Sequence, residues 1–149
     1  MNEYRIRPKD SYVKESKWQE LYILTAHWKS DLLFYKDDLK FLHHLLDKYF
    51  IWITKTENLK AVQTIGQNIL EDTLACDKLL DRLDKHLTQL ARLIDNPSKF
   101  NTKVFRDEHE ELEDEIAGFV KSVRENRKEL FTLTEYVVDS ERLEHLLDR

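Results

Sequence analysis

The chain has 149 residues, a net charge of −5, two glycines, two prolines and one cysteine, and 36% of it is charged. That length suits one domain with a real core, and a hydrophobic share of 41% argues against wholesale disorder. The acidic balance works against nucleic acid or an anionic membrane as partner, a single cysteine excludes an intrachain disulfide, and no run reaches the ~18 apolar residues of a membrane span.

Residues 1–10, MNEYRIRPKD, mix charges with Tyr4, Ile6 and Pro8 and show no period. They contain no apolar h-region, so no secretory signal is expected, and a cytoplasmic location follows from these features. Residues 1–15 read as a partly extended arm. Ser16 followed by Gln19 fits a capping box that opens the first helix.

From there the pattern changes. Steps of three and four give Trp18, Leu21, Thr25, Trp28, Leu32, Tyr35, Leu39, Leu42, Leu46, Tyr49 and Ile53, uninterrupted by Gly or Pro. This is the inward seam of a helix over about residues 16–53. The stretch holds nine of the sixteen aromatic residues of the chain. Its c and g positions add Leu24, Phe34, Phe41, Leu45 and Trp52, a second apolar stripe beyond the seam. Thr54, Lys55, Thr56, Glu57 reads as another capping box and a tight turn, the competing reading being one continuous, locally distorted helix, since no Gly or Pro enforces the turn.

The second helix, about 56–95, carries Leu59, Val62, Gly66, Ile69, Thr73, Cys76, Leu80, Leu83, Leu87, Leu90 and Ile94 in the same steps. Asn96-Pro97 ends it, because proline cannot donate to the ladder and disfavours helical geometry before it. The third helix, about 102–147, has the seam Phe105, His109, Leu112, Ile116, Phe119, Val123, Asn126, Leu130 and Leu133. Short connections make neighbours antiparallel. The sequence therefore predicts an all-α fold: one long, coiled-coil-like, up-down-up three-helix bundle over 16–149, of spectrin-repeat proportions.

Polar positions in these seams are candidates for fixing register, and the predicted turns bring Thr73 near Asn126. Cys76 on the seam reads as a small buried hydrophobe. The acidic run Asp107 to Glu115 lies in the first turns of its helix, where negative charge suits the helix dipole. Folding back also sets it near Arg82, Lys85, His86 and Arg92.

His43 and Asp47 share a face, and Phe41-Leu42-His43-His44-Leu45-Leu46-Asp47 resembles the His-His…acid pattern of hemerythrin-like iron domains. Asp107-Glu108-His109-Glu110-Glu111 resembles the Glu-His helix of that family. The resemblance covers those two segments and makes His43, Asp47, His109 and Glu113 candidate metal ligands. In that family separate short helices supply the ligands, whereas His27 and His43 here share one helix. There is no Glu-x-x-His or His-Glu-x-x-His, and two glycines cannot build a phosphate-cradling or nucleophile-elbow loop.

No catalytic motif or cofactor is therefore expected. The reading is a non-enzymatic interaction or scaffold module whose partner is another protein or a second copy. Contact would run through Phe34, Phe41, Leu45 and Trp52 on the first helix. The alternative is a bundle that binds a metal or small ligand through histidines and carboxylates.

Overall fold

Mostly apolar steps of three and four commit each long segment to helix, since only that period stacks the apolar side chains on one face. The computed structural model describes residues 17–56, 59–96 and 102–147, with side chains for 17–51, 59–96 and 102–135. The helices are α1 (Trp18–Thr56), α2 (Leu59–Asp95) and α3 (Thr102–Leu147), packed as an all-α bundle. The predicted arm and its Ser16 cap lie outside the described residues, as does the side chain of Trp52.

α1 opens with Leu21 N donating to Lys17 O at 3.1 Å. It runs past the expected end at Ile53, so Thr54 and Thr56 belong to its last turn and Thr54 does not cap α2. The helix preferences of Thr and Lys differ from that of Ala by only about 0.7 kcal/mol or less, too little to stop a helix already running. α2 closes as predicted: Asn96 N donates to Arg92 O at 2.9 Å, immediately before Pro97.

Cross-helix pairs fix the topology. Lys29 meets Asp84 at 2.7 Å and Lys36 meets Asp77 at 3.2 Å, so α2 descends as α1 rises. His86 pairs with His109 and Asp72 with Ser122 and Asn126, so α3 is antiparallel to α2. Trp18 meets Phe105, Trp28 meets His109 and Asp38 meets Arg127, so α1 and α3 run parallel.

The seams of α1 and α3 are buried where the pattern put them, with Leu21, Leu32, Leu42, Leu112, Ile116 and Leu130 fully enclosed. α2 is rolled by one position. Val62, Ile69, Cys76, Leu80, Leu83 and Leu90 are buried as expected, but beside them lie Ile65, Asp72, Leu79, His86 and Leu93 in place of the other expected positions. Gly66, Thr73, Leu87 and Ile94 are only half-buried. Both rows complete a three-four alternation with the shared positions. The observed one brings an aspartate and a histidine inside.

Cys76 is enclosed, its thiol donating to Leu32 O at 3.4 Å, and burial pushes it up to about 11. At neutral pH it is a protonated core residue and a poor nucleophile.

Two glycines inside helices give a direct test of the packing. A Cβ at Gly118 meets nothing within 4 Å, whereas one at Gly66 comes to 3.3 Å from Leu46 Cδ2. Gly118→Ala is expected to raise stability by about 1 kcal/mol in urea unfolding. Gly66→Ala should gain less, because Leu46 must move aside.

Candidate functional site

Three places on the bundle carry more than simple packing: the outer face of α1, a carboxylate layer at mid-bundle, and a histidine layer near one end.

The outer face of α1 carries exposed apolar side chains interspersed with polar ones. Ile23 is 59% exposed, Leu33 46%, Phe34 66% and Phe41 47%. Phe34 leans edge-on against Tyr35, and Phe41 lies 6.4 Å from the Phe131 ring, so each aromatic is anchored on one side and open on the other. Leu45 departs from the expected stripe: it is half-buried and packs against the main core, as does Leu24. A g position faces the neighbouring helix, whereas c points away from the bundle axis.

The carboxylate layer is built on Asp72 of α2. Its Oδ1 accepts from Ser122 Oγ at 2.7 Å and its Oδ2 from Asn126 Nδ2 at 2.6 Å. Burial pushes the carboxyl above the ordinary carboxylate range, while the bonds from Ser122 and Asn126 pull it back. Asn126 thus sits in a polar layer as the seam suggested, but its partner is Asp72. Thr73 is turned aside by the roll of α2, and its hydroxyl donates to Ile69 O at 2.9 Å in its own helix.

The histidine layer joins all three helices. His86 Nε2 and His109 Nδ1 are 2.7 Å apart, with His86 1% and His109 0% exposed. His109 stacks on Trp28 at 4.9 Å between centroids, and His86 stacks on Phe105 at 4.3 Å with the planes within 7°. Beyond them the Arg106 guanidinium sits 3.9 Å above the Trp18 ring. Burial, reinforced by the Arg82 cation, lowers His86 to about 4. Its ring is therefore neutral in the folded protein at pH 7. Glu113, one turn along α3 from His109, is buried as well.

The four metal candidates are not brought together. His43 and Asp47 form an exposed pair at 3.8 Å on α1, whereas His109 and Glu113 lie inside. Because Trp28 of α1 stacks on His109, His43 is displaced from that layer by roughly 22 Å of helix. Among the described residues no three His, Cys, Asp or Glu side chains form a group that could hold a metal ion. The acidic run is divided by the helix surface. Glu115 pairs with Arg82 in an ion pair on the outside, while Glu113 turns inward.

An open groove of about 480 Å³ runs between α2 and α3, with Ile65 and Leu133 among its apolar lining and Lys128 and Glu129 also at its wall. It carries no convergent nucleophile, acid or base. Among the described residues no helix is long and apolar enough to cross a membrane. No protein-family model, curated protein or solved structure matches the chain.

Asp72 and His86 are the residues that the sequence reading missed. The signal was present, since both fall on the seven-residue row Ile65, Asp72, Leu79, His86, Leu93. Charged and imidazole side chains are buried rarely enough that the competing row looked better.

Proposed function

We propose that this protein is a non-catalytic helical interaction module that pairs with a second copy of itself through the outer face of α1. The observation behind this reading is the exposure of Ile23, Leu33, Phe34 and Phe41 along one helix face, with Phe34 66% open to solvent. Large apolar side chains exposed in a row along one helix are a feature of interaction faces.

A second copy is favoured by the spacing. A two-fold axis near Asp37, relating antiparallel α1 helices, sets Phe41 of each copy beside Phe34 of the other. It also lays the Lys40 stem across Leu33, and Ile23 and Ile51, equidistant from Asp37 in the sequence, close the two ends. A parallel pairing in register sets Phe41 against Phe41 and Phe34 against Phe34 instead. The strip from Ile23 to Ile51 is about 42 Å long and one helix wide, which places the contact among weak interfaces below about 1,200 Å². Micromolar dissociation is expected.

Sedimentation equilibrium from micromolar to near-millimolar protein tests this. Wild type should shift to dimer, and Phe34→Glu with Phe41→Glu should remain monomeric while keeping the helical circular dichroism of wild type. A wild type that stays monomeric throughout, or a folded double variant that still dimerises, overturns the reading. The metal- or small-ligand alternative has no converging donor set among the described residues to support it.

A further inference from the structure

We propose that the His86–His109 pair is an acid-sensitive latch that holds one end of the bundle shut. The apolar core is divided. A main cluster extends from Trp28, Leu83 and Leu112 through to Leu130. A smaller cluster of Leu21, Leu90, Leu93 and Phe105, with Trp18 against it, closes the far end. The two histidines lie between them, joined ring nitrogen to ring nitrogen at 2.7 Å and stacked on Trp28 at one side and Phe105 at the other. Separating the rings breaks the bridge between the clusters. The small cluster then has little to hold it, because four buried apolar side chains make a satellite rather than a core.

The chemistry of the contact makes the latch sensitive to protons. A hydrogen bond between two ring nitrogens needs one of them to accept. The joined pair can therefore hold three of the four protons that two imidazolium rings carry. A fourth sets two N–H donors against each other at a distance that only a hydrogen bond tolerates.

The surroundings discourage that proton on His86. Arg82, one turn back on the same helix and paired with Glu115, opposes a proton there, and His86 Nδ1 meets no hydrogen-bond partner among the described residues. From α3 come His109 itself and the Glu113 carboxylate, with Arg106 farther out over Trp18. α1 presents the uncharged faces of Trp28 and Thr25, its nearest cation Lys29 being paired with Asp84. In the opened end His86 is free to take its proton at the ordinary histidine value. With His86 near 4 when closed and near 6.5 when open, opening becomes about 30-fold more favourable between pH 7.5 and pH 5.

Site-resolved hydrogen exchange, corrected for the intrinsic effect of pH, tests this on the intact chain. Amides of residues 21–28, 86–93 and 105–109 should lose about 30-fold in protection from pH 7.5 to pH 5. Those of residues 65–80 and 116–130 should hold theirs. In His86→Gln, which keeps a polar group but cannot titrate, the end segments should no longer respond to pH. Uniform loss along all three helices, no loss at the end, or an unchanged response in the variant would overturn the latch.

Discussion

Trp28→Ala is expected to be among the most damaging single truncations in the bundle. The residue is 3% exposed, belongs to the main cluster and covers the His109 ring. Removing a buried indole costs about 3–5 kcal/mol, from lost burial and from the cavity left behind. For a chain of this size that lowers the melting temperature by roughly 10 °C. The site cannot relax cheaply, because collapse into the space would pull His109 away from His86. Trp28→Phe, which keeps a ring over His109, should cost less than half as much. Urea unfolding followed by circular dichroism at pH 7.5 measures both, and a loss under about 1 kcal/mol for the alanine would show that the layer collapses without penalty.

The second large effect is at Asp72. Asp72→Leu removes the acceptor for two donors and leaves the buried Asn126 amide unsatisfied, at about 1–3 kcal/mol, while the half-buried Ser122 hydroxyl loses its partner at a smaller cost. Asp72→Asn should be far milder. Ser122 can still donate to its oxygen, and Asn126 can turn its amide to present Oδ1 to the new NH₂ group. The two variants separate the carboxylate from the layer it organises.

The same residue and His86 give pH dependences of opposite sign. Burial raises Asp72 above 3.8, so between that value and its folded one the folded state holds the extra proton. Ionising Asp72 therefore costs stability as pH rises through that window, and Asp72→Asn should remove this loss. His86 is lowered from 6.5 to about 4, so there the unfolded state holds the extra proton and stability falls as pH drops through that window. The difference between wild type and Asp72→Asn, measured from pH 7 down to 3.5, should change only in the acid half of the range.

The helical class, the three elements and the inward rows of α1 and α3 were all legible in the sequence. Their seams are dominated by large apolar side chains, and only toward the end of the third helix does a second phase compete. α2 offered two phases sharing Val62, Ile69, Cys76, Leu83 and Leu90. Apolarity alone chose the one containing Thr73 and Leu87. The rolled phase wins because Asp72 finds Ser122 and Asn126, and His86 finds His109, all on another helix. No local pattern encodes such partners. The metal candidates failed for a related reason: i,i+4 spacing places His43 beside Asp47 but says nothing about what a different helix brings to them. On α1 the outer c positions Phe34 and Phe41 are exposed, while Leu45, one register position inward, went to the core.

The parallel course of α1 and α3 also bears on how the protein would carry a load. The start of α1 and the end of α3 lie at opposite ends of a rod whose longest helix, 46 residues, extends for about 69 Å. Tension applied at those two points runs along the helix axes and slides α1 against α3 through Trp18, Trp28, Tyr35, Asp38 and Phe41 together. Contacts loaded side by side in this way must yield as a group rather than one at a time.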